Sequence, residues 1–196
     1  TPTNVASAEM AKISNKELLE IAQNESTTTE QLSKIWITSK SVKVRKAVAS
    51  NPNADALTLR AAARLYLEEV LDNPAFEMLR LFDDNEWIQK LGEIHENPEK
   101  WANGIGYYSR STGQLEPFAR AALLSPQLSS YAMVTIMEFL PVSSLTRAFK
   151  YPKTRENSRK MVFDYAGDFT MEALFKAYNS GLYNEEELYQ CLRRMA

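Results

Sequence analysis

The residues able to do chemistry are few. The chain of 196 residues contains one histidine, His95, and one cysteine, Cys191. A lone thiol cannot close an internal disulfide. One thiol with one imidazole cannot assemble a zinc site or a Ser-His-Asp constellation. No catalytic residue, metal ligand or cofactor site is therefore assigned. Cys191 sits in an apolar helical context and reads as a small core residue. His95 lies three residues after an inward Gly92 and two before Asn97, and reads as a partly buried structural histidine. Asn103-Gly-Ile-Gly resembles half of a phosphate-cradling loop, but no strand precedes it, so the backbone context that motif needs is missing.

Residues suited to binding are more plentiful. The segment 101–117, WANGIGYYSRSTGQLEP, holds three of the six glycines. It also holds Trp101, Tyr107, Tyr108 and Arg110, the residue types that dominate the centres of protein interfaces. These side chains either bind a partner from a loop or fold back onto the core beneath it. The segment 147–160 carries Arg147, Lys150, Lys153, Arg155, Arg159 and Lys160 against Glu156 alone, and Lys40, Lys43, Arg45 and Lys46 form a second cluster. Such groups would neutralise phosphates if they shared one face, or would be ordinary solvated helix ends. Residues 66–99 carry ten acidic and two basic groups, a net −8 inside a chain whose total is −2. That band could dock a basic partner or form an ordinary exposed helix face.

The elements that must position these residues repeat. A helix-like run ending in a polar residue and proline appears as VRKAVASNP, LEEVLDNP and LGEIHENP, and more loosely as FARAALLSP and LTRAFKYP. The prolines stand at 52, 74, 98, 126 and 152, with steps of 22, 24, 28 and 26. A copy without proline, LEIAQNES, ends at Ser26. Proline pushes the preceding residue out of helical space, so each run ends there. Asn51, Asn73, Asn97 and Ser125 suit that position because their side chains bond nearby backbone. Ala22, Val48, Val70, Ile94, Ala122 and Ala148 stand four residues before the mark; Leu19, Arg45, Leu67, Leu91, Ala119 and Leu145 stand seven before it. Columns three apart share a helix face, so both are expected to point inward.

A second apolar helix is expected after each mark: Leu57, Leu59, Ala62, Ala63 and Leu65; Met78, Leu79, Leu81 and Phe82; Tyr131, Val134, Ile136 and Met137; Met161, Val162, Phe163 and Tyr165. Asp55, Ser129 and Ser158 are read as N-caps, and Thr28 with Gln31 as a capping box. Strand signals are scarce. At the C-terminus, MEALFKAY, a turn at Asn179-Ser180-Gly181 and a helix from Asn184 read as a hairpin, with Glu185, Glu186 and Glu187 in its first turn and Arg193 and Arg194 in its last, as the helix dipole favours.

The unit at 44–65 resembles a leucine-rich-repeat-variant unit: Val44, Arg45, Ala47, Val48, Ala49, Asn51, Pro52, Leu57 and Leu65 match its Val-Arg, Ala-Val-Ala, Asn-Pro, Leu pattern. Ala54 or Asp55 replaces the family's second proline, and the likeness loosens over 16–165, where it is also similar to HEAT-like repeats. The resemblance implies an all-α, right-handed α-solenoid of about six degenerate repeats of 22–28 residues, closed by a capping hairpin over 168–196. The expected organisation is a flexible tail over 1–13 and a single domain over 14–196. The function implied is a macromolecule-binding adaptor or scaffold working through protein–protein contacts. The alternative is a HEAT-like nucleic-acid binder or processing protein using the basic segments. HEAT-like DNA glycosylases need an acidic residue in an aromatic cleft, for which Asp83, Asp84 and Trp87 are the nearest match. No apolar run reaches the ~18 residues of a membrane span. The N-terminal sequence lacks the pattern of a secretory signal, and a cytoplasmic location is expected.

Overall fold

The computed structural model describes residues 12–105 and 112–195, with the backbone alone at 112–114. The described residues form fourteen α-helices and one short 3-10 turn, with no strand. In chain order the helices are α1 (Asn15–Gln23), α2 (Thr29–Thr38), α3 (Val42–Ser50), α4 (Ala56–Ala63), α5 (Leu67–Leu71), α6 (Pro74–Phe82), α7 (Glu86–Glu96), α8 (Pro98–Gly104), α9 (Thr112–Leu123), α10 (Ser130–Phe139), α11 (Val142–Ala148), α12 (Pro152–Asp164), α13 (Met171–Asn179) and α14 (Glu185–Arg193). The chain is thus all-α, as the absence of period-two patterning predicts. It divides into two compact units, Thr1–Gly92 and Glu93–Ala196.

In the first unit α1, α3 and α5 pack in succession, while α2 packs on α4. In the second, α8 packs on α10, α10 on α13, and α9 on both α11 and α12. No described helix exceeds 13 residues. Isolated helices this short are marginal in water, so their stability comes from burying one face.

The column four residues before the mark is buried at all six positions: Ala22, Val48, Val70, Ile94, Ala122 and Ala148. The column seven before it is buried from Leu67 onward, through Leu91, Ala119 and Leu145. Its first two members depart from the expectation: Leu19 and Arg45 are half-buried, and Leu18 and Val44 take the inward place. Residues four apart share a face as readily as residues three apart, so the inward stripe of α1 and α3 runs through Leu18 and Ala22, and through Val44 and Val48. Arg45 lays its guanidinium over the Trp36 ring, 4.8 Å from the centroid, and donates from Nε to the Ser39 carbonyl at 2.8 Å.

The polar residue before each proline does more than end a helix. Asn51 and Asn73 have extended backbones, with ψ of 130° and 126°. Asn51 Oδ1 accepts from the Asn53 N–H at 2.9 Å, and its Nδ2 donates to the carbonyls of Ala22 at 2.8 Å and Asn24 at 3.0 Å. Asn73 repeats this: Oδ1 accepts from the Ala75 N–H at 2.8 Å, and Nδ2 donates to Ala49 at 2.8 Å and Asn51 at 2.9 Å. The Ala22 and Ala49 carbonyls lie in the last turn of a short helix, whose final acceptors have no helical partner, while those of Asn24 and Asn51 also accept from the Thr27 and Ala54 N–H groups. One side chain therefore shapes the turn and ties its unit to the one before. In the second unit Ser125 serves with a hydroxyl: its Oγ accepts from the Gln127 N–H at 3.1 Å and donates to the His95 carbonyl. Asn97 departs from the set; it is exposed and caps α8 by accepting from the Lys100 N–H. At the last mark the polar residue is replaced by Tyr151, whose ring carries the guanidinium of buried Arg120, 3.4 Å from the centroid.

Capping follows the sequence at Thr28 and Gln31, at Asp55 and at Ser129. Ser158 is different. It lies in the middle of α12, fully buried, because Pro152 at the first helical position starts that helix six residues earlier. The C-terminal hairpin forms as read: Asn184 and Glu187 make a capping box, and Gly181 turns the chain at φ 78°, a left-handed conformation that glycine adopts without steric cost.

Candidate functional site

Two surface features stand out among the described residues. One is an open groove of about 530 Å³ lined by the short helices, including Leu19, Lys43, Lys46, Ser50 and Glu69. Lys46 Nζ stands 2.9 Å from Glu69 Oε1, and the hydrogen bond and charge of that carboxylate hold the ammonium above its ordinary pKa. The groove thus carries a half-exposed ion pair of the basic cluster; Arg45 of the same cluster is turned away onto Trp36.

The other feature is apolar and faces out. The second helices were expected to bury their large side chains. Leu59, Ala62, Ala63, Ile136, Met137 and Val162 do so, but Leu57, Leu65, Met78, Leu81, Phe82, Tyr131 and Tyr165 are exposed. Helix α6 departs most, because Phe76 is the one residue it buries fully, while Met78, Leu81 and Phe82 point to solvent. The signal for this was legible: α6 reads PAFEMLRLF, more apolar than a one-sided amphipathic helix requires. Period alone cannot say which apolar face the neighbours will cover.

Of the aromatic and arginine residues picked from the sequence, Trp101 lies in α8 at 4% exposure, packed inward rather than offered at the surface. Tyr107, Tyr108 and Arg110 lie outside the described residues. The segment 101–117 is not one long loop: α8 runs to Gly104 and α9 starts at Thr112, taking Pro117 into its second turn. Of the basic segment, Arg147 Nε donates to Glu116 Oε2 at 2.9 Å. Arg159 donates to Glu187 Oε2 at 2.7 Å and to the Leu182 carbonyl at 2.8 Å. Both arginines therefore hold structure in the second unit, while Lys150, Lys153, Arg155 and Lys160 are exposed.

Asp83 Oδ1 accepts from the Asn85 N–H at 2.8 Å, Asp84 is exposed, and the Trp87 ring lies 5.6 Å from the Arg60 guanidinium. His95 is half-buried, with Nδ1 3.0 Å from the Ala121 carbonyl, a structural placement. Cys191 is buried, and that burial pushes its thiol pKa up, away from nucleophile chemistry. No group of three His, Cys, Asp or Glu side chains able to hold a metal occurs among the described residues. No described helix is long and apolar enough to cross a membrane. Comparison with known proteins returns no matching family model, no similar curated protein and no similar solved structure.

Proposed function

We propose that this chain is a protein-binding helical repeat: a right-handed α-solenoid of about six units, of the leucine-rich-repeat-variant or HEAT-like kind, acting as an adaptor or scaffold. The observation that carries the reading is the outward placement of large apolar side chains on consecutive second helices: Ile37 on α2, Leu57 on α4, and Met78, Leu81 and Phe82 on α6. Single exposed apolar residues are ordinary, but a concentration on regular helices marks a surface that is covered in use. The repeated asparagine clamp supports the solenoid, since a unit tied to the carbonyls of its predecessor is the nearest-neighbour interface such arrays are built from.

The test is retention of a native partner. The purified chain is immobilised and exposed to host lysate with and without nuclease. The expected result is a polypeptide retained in both cases at roughly stoichiometric yield. Retention of nucleic acid alone, or of polypeptide that vanishes with nuclease and falls steeply as salt rises, would overturn the reading in favour of phosphate binding.

A further inference from the structure

We infer that the outward face of α6 docks a basic amphipathic helix of a partner protein. This rests on the protein-binding reading and names the chemistry of the partner.

The face is continuous. Pro74, Met78, Leu81 and Phe82 stand at i, i+4, i+7 and i+8, which on a helix is one stripe along two turns. Met78 is 59% exposed, Leu81 68% and Phe82 76%, while Phe76, on the opposite side, is buried. An isolated α6 would bury either face; here the neighbours cover Phe76 and leave the larger surface open. A methionine, a leucine and a phenylalanine at these spacings form an apolar stripe of the i, i+3, i+4 and i+7 kind, which packs against the matching stripe of a second amphipathic helix. Methionine adds a flexible side chain that conforms to the incoming shape.

Charge selects the partner. Residues 72–86 hold Asp72, Glu77, Asp83, Asp84 and Glu86 against Arg80 alone, a net −4. Glu77 flanks the stripe along its edge, Asp72 precedes it, and Asp83, Asp84 and Glu86 follow Phe82 within four residues. Arg80 is largely withdrawn: its side chain is 18% exposed, reaches Glu77 Oε2 at 3.4 Å, and lies against Gly92, where an added Cβ would meet Arg80 Cδ at 2.4 Å. The chain bordering the stripe is therefore net negative. Anionic lipid and nucleic-acid phosphate are repelled from it, whereas lysines or arginines flanking an apolar helical stripe are attracted.

The experiment uses the whole chain and three labelled helical peptides of equal length. One carries leucine along one face with lysine around it. The second carries the same leucines with glutamate for lysine. The third carries the lysines with serine for leucine. Binding is followed by fluorescence anisotropy at several salt concentrations. The leucine–lysine peptide is expected to bind best, more weakly as salt rises, and the other two at least about tenfold more weakly, the factor a single hot-spot contact supplies. The double substitution Leu81→Ser with Phe82→Ser, and separately Asp84→Asn with Glu86→Gln, should each weaken the first peptide with the helical circular-dichroism signal retained; the second pair touches no core residue and keeps the test valid if the first perturbs folding. Equal binding of that peptide to wild type and to both variants, or of the leucine–glutamate peptide to wild type, would overturn the inference. So would self-association of the wild type that the serine pair abolishes without peptide binding, since the occupant would then be a second copy. A native polypeptide retained from lysate equally by wild type and serine pair would overturn the α6 site while leaving the protein-binding reading intact. No retained polypeptide would remove that reading itself.

Discussion

Asn73 donates its side-chain amide to the main-chain carbonyl of Asn51, 2.9 Å away and 22 residues earlier in the chain. Asn51 makes the corresponding bond to Asn24, at 3.0 Å. The turn residue of one unit is thus the acceptor for the turn residue of the next, so the side chain that ends a helix also fixes the spacing between units.

Removing the amide is expected to be costly. Asn73→Ala takes the side-chain amide from the Ala49 and Asn51 carbonyls, of which Asn51 keeps the Ala54 N–H, and uncaps α6; the lost amide bonds and the lost cap are each worth roughly 1–2 kcal/mol. Asn73→Asp keeps the oxygen that accepts from the Ala75 N–H but places a carboxylate oxygen against two carbonyls, so it should destabilise at least as much as alanine. Urea denaturation of the three proteins checks this; an aspartate variant as stable as wild type would show that the turn, and not the tie between units, is what matters.

The inward column gives a second expectation. Val70 and Ile94 are buried in α5 and α7. Truncation to alanine should cost about 1–2 kcal/mol for the valine and 2–4 kcal/mol for the isoleucine, since the larger deletion leaves the larger cavity. Leu57→Ala, at an exposed position of α4, should change the melting temperature little. Equal effects at Leu57 and Val70 would contradict the assignment of faces.

Arg45 and Trp36 should behave as a stacked pair. Arg45→Lys keeps the charge but loses the planar face over the indole and the Nε bond to Ser39. A loss of about 1 kcal/mol is expected, with a change in tryptophan emission on which a purely solvated arginine would have no influence.

The Glu187–Arg159 pair sets a pH dependence. The hydrogen bond from Arg159 holds the Glu187 carboxyl below its ordinary value of 4.5. A carboxyl depressed in the folded state contributes stability that is present above the unfolded pKa and is lost as pH falls through the folded one. The Glu187 side chain is 23% exposed and that of Arg159 32%, so the contribution is modest, about 0.5–1 kcal/mol. Glu187→Gln retains an acceptor for the capping box and removes the charge. The urea midpoints of wild type and variant should differ near neutrality and converge as pH drops below 4.5.

Much of this molecule follows from local chemistry that the sequence states by itself. Helices end at Asn51 and Asn73 because a proline one residue on excludes helical backbone. They begin at Thr28, Asp55, Ser129 and Asn184 because those side chains satisfy orphan N–H groups within three residues. The burial of Val48, Val70 and Ile94 follows from their common place in the repeat. What only the tertiary structure decided is which of two apolar faces each short helix buries. Phe76 and Met78 are both hydrophobic, two residues apart and nearly opposite on α6; packing covered the first and left the second to solvent. The same holds for Trp101, drawn into the core from a segment that reads as a loop, and for Asn51, whose local sequence calls for a turn but does not name the carbonyls of Ala22 and Asn24 as its partners. Caps and prolines act over three or four residues, within reach of the pattern. The choice of a face is made by whichever helices pack against it, and hydrophobicity, having no direction, carries no record of which of them arrives.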